Sequence, residues 1–496
     1  MPGRGFATLM AMMQNRLRLP RPTRVARSGP VSERTAFATG LFLVLFGGDV
    51  LRNSIDWAGW AIVVGLFAVA AIVVVVRNPI PWKRFPPVLA LFLLFIVASL
   101  AWSRYPAGSA LGIVVQLLTT AAPIAMAATM SWPAIVRALG RALRIIVVLS
   151  LLFELVVSVF VRHPICPVFL DCSVKHPAAF EWSRDLLFHG GQIQGLSGNS
   201  NLLAIIALLA LVVTACQAAA RVIPKRTGWV GIVSAVLALG LTRSSTVIVC
   251  AVVCAVVLGL ALLVRRVSQS RRWMVAVGAL VVVVIVALAV LAEHRKVLHA
   301  LGKSSTLTGR TDIWSSVIDL AQQHPVFGWG WIGYWQPAYK PFSHLATKNG
   351  VTYLQAHEAY LDVWFQVGFV GLAIFLALVV STLARSWWWA TDRRMLGPNS
   401  PAPWSPLDLL PLLLATVLVV HGLGESRILV EWGWATLALL ALVTRVDRFR
   451  WWGAPPSVAA AAAAHRHADT IVGSSVTTSG PDVPAADADG VARPTA

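Results

Sequence analysis

Long apolar stretches recur from end to end of this chain, separated by short basic segments. A membrane-spanning helix needs roughly 20 mostly apolar residues. By that test twelve segments qualify, at about 35–48, 57–76, 86–102, 109–130, 143–161, 201–220, 229–242, 246–264, 273–292, 359–384, 407–424 and 428–444. The first and seventh are short, and the break at Thr242-Arg243-Ser244-Ser245 is tight. Only 12% of residues are charged, against roughly 25% in an ordinary soluble domain, and mean hydropathy is +0.73. An ordinary cytosolic enzyme is excluded. The pattern predicts an all-α membrane protein of about 12 transmembrane helices, with a large extracytoplasmic loop between helices 9 and 10.

The net charge of +20 would suggest nucleic acid in a soluble protein. Its placement says otherwise. With the N-terminus inside, seven inner segments (1–34, 77–85, 131–144, 221–228, 265–272, 385–405 and 445–496) carry 28 of the 41 cations, and all but the last, where five arginines balance five aspartates, are basic. This is the positive-inside pattern, with both termini cytoplasmic. The organisation follows: a basic N-terminal tail at 1–34, helices 1–9 within 35–292, an extracytoplasmic loop at 293–358, helices 10–12 within 359–444, and a cytoplasmic tail at 445–496. That tail is rich in Ala, Ser, Thr, Pro and Gly and reads as disordered. The tail at 1–34 lacks the pattern of a cleaved signal peptide. Cys216, Cys250 and Cys254 lie in apolar runs as small core residues. Cys166 and Cys172 share a polar outer loop and could be bridged or free.

Two outer segments are long, 162–200 and 293–358, and loops of such length are usually functional or disordered. The second holds Trp314, Trp329, Trp331, Tyr334, Trp335 and Tyr339 and reads as a folded cap. Within it Ile313, Val317 and Leu320 form an apolar stripe at helical spacing. Thr308 or Thr311 could cap this helix, and Pro325 ends it. The spacing predicts an amphipathic helix at the outer membrane surface. Arg310 then sits where free N–H groups and the helix dipole favour an anion; a snorkelling arginine is the other reading. The run Phe327–Trp335 alternates glycine with aromatics and could be an interface belt or a wall for a lipid or sugar.

Nine of the eleven histidines fall on the outer side. His357 stands out because it opens the tenth span, and histidine is the side chain suited to general-base work near neutral pH. Arg243 lies beside the membrane, where an arginine is usually paired or functional. The parity of the crossings puts Arg243, Arg310 and His357 on one face. The acids point less clearly. Glu154 lies inside the fifth span, and Asp49 and Asp56 flank the first outer loop at a spacing poor for a metal pair. Asn199, Asn201 and Glu425 sit at outward span ends, as caps, packing groups or site residues. No C-x-x-C, H-E-x-x-H, P-loop or dinucleotide fingerprint is present, so no metal, ATP or other cofactor is indicated.

In order and spacing, these segments resemble the O-antigen ligase and polymerase superfamily of bacterial membrane glycosyltransferases. The matching residues are Gly195-Leu196-Ser197-Gly198-Asn199-Ser200-Asn201, Leu241-Thr242-Arg243-Ser244-Ser245 and Gly309-Arg310-Thr311-Asp312-Ile313-Trp314. They continue through His324-Pro325-Val326-Phe327-Gly328-Trp329-Gly330 and His357-Glu358-Ala359-Tyr360-Leu361, with Gly368 and Gly371 beyond. The resemblance covers roughly residues 35–445. It implies metal-independent, inverting transfer of a glycan from an undecaprenyl-pyrophosphate donor to an acceptor hydroxyl of a glycan, lipid or cell wall, at the outer face of the cytoplasmic membrane. By motif, Arg243 and Arg310 would hold the pyrophosphate, for which guanidinium forks are suited, and His357 would activate the hydroxyl. Relatives often carry Asn after the histidine. Here Glu358 follows it and could orient the ring or favour its protonated form. The same residues would serve a polymerase of lipid-linked repeat units. A flippase for a lipid-linked saccharide instead predicts paired charges buried mid-span, of which Glu154 is nearly the only candidate. A shape-determining-type peptidoglycan polymerase has fewer spans and no matching motif here.

Overall fold

In a computed structural model, residues 33–174, 176–275, 277–278, 281, 310–343, 345–348, 351–393, 395–397, 400–401 and 403–453 are described. The architecture below belongs to the unit Met1–Asp447; of the unit Arg448–Ala496, only the last residues of one helix are described. The helices in chain order are α1 Glu33–Phe46, α2 Gly48–Arg77, α3 Pro87–Ala98, α4 Pro106–Thr129, α5 Trp132–Val156 and α6 Ser200–Ala219. Then come α7 Lys225–Thr242, α8 Ser245–Arg266, α9 Arg310–Ala321, α10 Ala359–Thr391, α11 Leu410–Gly422 and α12 Glu431–Gly453. Among the described residues the only strands are two hairpins of two or three residues each, at 347–352 and 395–401. Among the described residues, six helices are long and apolar enough to cross a membrane, with Pro87–Trp102 and Pro406–Gly422 as shorter apolar segments. This is a multi-pass membrane protein.

Eleven of the expected segments coincide with helices. The ninth, 273–292, lies largely outside the described residues, as does the segment 293–309 of the expected outer loop. Several starts are set by proline in the first turn (α3, α4, α5 and α11), where its missing N–H costs nothing. Two boundaries differ from the sequence reading. Residues 131–144, expected as an inner loop, form the opening turns of α5: Ile135, Val136, Leu139 and Leu143 are buried at helical spacing, and Arg144 finds Gln217 at 2.6 Å. Residues 49–56, expected as an outer loop, are helical up to a break at Ile55–Asp56, where the Asp56 carboxylate takes the Trp57 N–H at 2.6 Å.

The segment 162–200, expected as an outer loop, is folded onto the helix ends. Cys166 and Cys172 are bridged, and Ile165 pairs with Ser183 as an isolated antiparallel bridge. Glu154, the acid expected to stand inside a span, is 1% exposed. It accepts the N–H of Gln194 at 3.0 Å, the N–H of Gly195 at 2.6 Å and the Ser183 hydroxyl at 3.0 Å. Its charge ties the loop to α5, which satisfies a carboxylate that would otherwise be costly to bury.

The Gly/Trp run docks against a break in α10. Gly368 has φ 68° and ψ −174°, a region open essentially to glycine alone. The break frees backbone groups on both sides, and an unpaired backbone group inside a membrane protein must find another partner. The run supplies them. Trp329 and Gly330 donate to the Phe365 and Gln366 carbonyls at 3.1 and 2.8 Å, while Phe369 and Val370 donate to Pro325 and Val326 at 2.8 and 3.2 Å. The Gln366 side chain accepts from the Ile332 and Gly333 N–H groups, both at 2.9 Å. Trp331 and Trp335 are fully buried, so they are internal pillars. At these two positions the run is neither an interface belt nor an exposed wall, whereas Phe327 at its start is 52% exposed. Trp331 meets Phe92, which also touches Phe375 and Trp434.

Gly368→Ala should therefore strain the break by on the order of 1–3 kcal/mol and press a Cβ into the Val326 carbonyl. The expected outcome is a lower melting temperature and faster proteolysis between Pro325 and Trp335; unchanged values for both would contradict this view of the break.

Candidate functional site

Three segments distant in sequence converge at one end of the bundle. The first is the start of α9, which carries Arg310. The second is the loop Gln355–Glu358, leading into α10. The third is the turn after α11, where Glu425 precedes a 3₁₀ helix at Ser426–Leu429.

Glu425 is the common partner. One carboxylate oxygen accepts from Arg310 Nη2 at 2.8 Å. The other accepts from His357 Nδ1 at 2.8 Å and from Gln355 Nε2 at 3.0 Å. Side-chain exposures are 16% for Arg310, 15% for His357 and 8% for Glu425. Because Nδ1 donates to the carboxylate, the lone pair of a neutral ring lies on Nε2. That nitrogen is buried and has no hydrogen-bond partner among the described residues. Burial alone would push the Glu425 carboxyl up. The facing His357 ring and then the Arg310 guanidinium outweigh it and bring the group down to about 2.

The histidine loop is held from several sides. His357 has φ 53°, a left-handed conformation that a non-glycine residue adopts only when its surroundings impose it. Trp314 on α9 donates to the Ala356 carbonyl at 3.1 Å, and Gln355 Oε1 accepts the Ser426 N–H at 3.0 Å. The Tyr353 ring meets the His357 ring edge-on, with centroids 5.1 Å apart. Beneath α9, Ile313, Val317 and Ala321 are buried with Trp335, Phe342 and Phe365. The helix predicted at the membrane surface thus has its apolar face packed within the protein.

The remaining candidates have distinct places. Glu358 is the N-cap of α10, accepting from the Tyr360 and Leu361 N–H groups. Burial pushes its carboxyl up, and those two bonds offset this only in part. The carboxylate that orients the His357 ring is accordingly Glu425, and Glu358 serves the helix end. Asn199 caps α6 through the Asn201 and Leu202 N–H groups. Asn201 accepts the Ser244 hydroxyl at 2.8 Å, which holds the residue beside Arg243. Arg243 itself ends α7 with φ 49° and donates to the Gly190 carbonyl at 2.6 Å. It is not bonded to the Glu425 cluster. Gly424 links the two regions, since a Cβ there would lie 3.1 Å from Thr246 at the start of α8 and 3.3 Å from an Arg310 guanidinium nitrogen.

Sequence reasoning missed Gln355 and a second charged cluster on the same 3₁₀ turn. Arg427 pairs with Glu431, Glu431 with Arg52 at 2.8 Å, and Arg52 with Asp49. Asp49 is thus engaged by an arginine one turn away, a spacing visible in the sequence. The pairing to Glu431, 379 positions on, carries no local signal.

Residues 230–376 match the sequence pattern of a family described as O-antigen ligase. The region runs from α7 to α10 and includes Arg243, Arg310 and His357. That stretch of the chain is thus similar to the O-antigen ligase family. The chain is also similar to the exopolysaccharide production protein ExoQ of Rhizobium meliloti (strain 1021), with 27% identity over 162 residues. That alignment covers 31% of this chain and 36% of the relative, so it spans about a third of that protein's length. These matches say what the chain is similar to, and its apolar helices are those of a membrane protein.

The depressed Glu425 carboxyl has a pH consequence. Its folded value of about 2 lies below the ordinary 4.5, so the ionised form stabilises the fold. That contribution is complete above the ordinary value and fades as pH falls towards the folded one. The melting-temperature gap between wild type and Glu425→Gln should shrink as pH falls from 4.5 towards 2. A gap that stays unchanged from about pH 5 to about 3 would contradict the geometry.

Proposed function

We propose that this chain transfers a glycan from an undecaprenyl-pyrophosphate donor to an acceptor hydroxyl at the outer face of the cytoplasmic membrane, through twelve crossings with both termini inside. The acceptor is a hydroxyl on a glycan, lipid or cell-wall component. The observation that carries the reading is the meeting of Arg310 and His357 on one buried carboxylate, Glu425. A general base and an anion-binding guanidinium become parts of a single rigid unit.

The chemistry follows from that unit. The acceptor O–H places its proton on His357 Nε2 as its oxygen attacks the anomeric carbon. The bond from that carbon to the pyrophosphate oxygen breaks on the opposite side, so configuration inverts. Undecaprenyl pyrophosphate leaves with the electron pair. Arg310 spends one edge on Glu425 and offers its remaining N–H groups to the leaving group, with Arg243 as a second cation nearby. The protonated ring that results is stabilised by Glu425, which is already ionised. No metal, nucleotide or other cofactor is required, because the leaving group is stabilised by guanidinium and the hydroxyl is activated by imidazole. A polymerase reaction on lipid-linked repeat units uses the same groups with a glycan acceptor. Glu154 and Arg52, the charges that a flippase could recruit, are engaged in structural pairs, which favours transfer over transport.

The test is separate replacement of His357 and Arg310 by Ala, followed by assay of lipid-linked glycan and product in membranes. His357→Ala should slow transfer by about 10²–10⁴-fold, the range for loss of a general base, with donor binding retained. Arg310→Ala should weaken donor binding as well. Undiminished transfer in both variants would overturn the proposal.

A further inference from the structure

At the other end of α10 lies a feature that transfer chemistry does not use. An apolar groove of about 570 Å³ runs between α8, α10 and α11, lined by residues that include Val257, Leu383, Trp387, Trp388, Leu412 and Val420. Trp388 is 53% exposed. One turn further along α10, the helix meets a basic cluster. Arg265 donates to the Ala390 carbonyl at 2.6 Å. Arg272 donates to the Thr391 carbonyl at 3.3 Å and pairs with Asp392 at 2.5 Å. The guanidinium of Arg265 lies 4.1 Å from the centre of the Trp404 ring, and that of Arg393 lies 5.6 Å from it. Arg265 Nη2 and Arg272 Nε are buried and have no hydrogen-bond partner among the described residues.

A buried guanidinium N–H without an acceptor is expensive, and both arginines bond to the α10 carbonyls that follow closely on Trp387 and Trp388, which line the groove. The combination specifies its occupant. An acyl chain fills the groove, and a phosphate supplies acceptors to the open N–H groups. Zwitterionic lipid offers the phosphate but also brings a cation towards a cluster already rich in arginine. The complementary molecule carries net negative charge. Basic pockets between spanning helices select such headgroups. We propose that α8, α10 and α11 bind one anionic diacyl phospholipid, its phosphate on Arg265 and Arg272 and an acyl chain along Trp387 and Leu383. Arg265 and Arg272 meet the last turn of α10, whereas His357 stands before its first, so the phosphate position is distinct from the Glu425 cluster even though the groove reaches up α11 to Val420.

The test uses the full chain in mild detergent, incubated with an equimolar mixture of dioleoyl-phosphatidylglycerol and dioleoyl-phosphatidylcholine and weighed by native mass spectrometry. One phosphatidylglycerol should be retained roughly tenfold or more over phosphatidylcholine, the scale set by two cations. The double variant Arg265→Gln/Arg272→Gln should lose that preference. Ala384→Trp, which fills the groove and leaves the cations in place, should lose retention of phosphatidylglycerol. If the double variant does not elute as a folded species, Ala384→Trp and Trp404→Ala carry the test. Equal retention of the two lipids by the wild type, or undiminished phosphatidylglycerol retention by Ala384→Trp, would overturn the proposal.

Discussion

The arrangement depends on one buried anion. Glu425 is fixed in a short 3₁₀ turn between α11 and α12, and two groups from the cap converge on it. A carboxylate so enclosed is tolerable only while it is paired. The guanidinium of Arg310 and the ring of His357 are therefore as much required by Glu425 as positioned by it. That mutual need converts three loops into one site. It also fixes the direction of the histidine ring, with Nδ1 spent on the carboxylate and Nε2 left open.

A second constraint supports the first. The break at Gly368 lets α10 exchange backbone hydrogen bonds with the Pro325–Gly330 run. This anchors the cap to the bundle immediately C-terminal to α9. The same helix begins at the Glu358 cap, directly after His357. The positions of Arg310 and His357 thus share a scaffold: α9 packs on α10 through Ile313 and Val317, and Trp314 reaches back to the Ala356 carbonyl. The turn bearing Glu425 is held in parallel by the Arg427–Glu431–Arg52–Asp49 chain.

Most of the helices were legible in the sequence, because apolar length and proline placement are local signals. Arg310 and His357 were legible as candidates through motif order, as was the amphipathic stripe of α9. The role of Glu425 was not. In sequence it is one polar residue at a span end, like Asn199, which turns out to be a cap. Only a contact across 68 positions to His357 and 115 to Arg310 distinguishes it. Glu358 illustrates the reverse error: adjacency to the histidine suggested a partner, yet its carboxylate faces forward onto the N–H groups of its own helix. The loops at 49–56 and 131–144 were misjudged because charge was taken as the end of a helix. Arg144 shows how a charged residue stays within the bundle when a neighbouring helix offers Gln217 and Thr214.

The most direct measurement of the central claim is a double-mutant cycle between Glu425→Gln and His357→Ala, scored on the rate of glycan transfer. If Glu425 acts by holding the ring and the guanidinium in one unit, removing the histidine makes part of the Glu425 loss disappear. The double variant should then lose clearly less than the product of the two single losses. A double loss equal to that product would mean that the two residues work independently, and would contradict the Glu425-centred site.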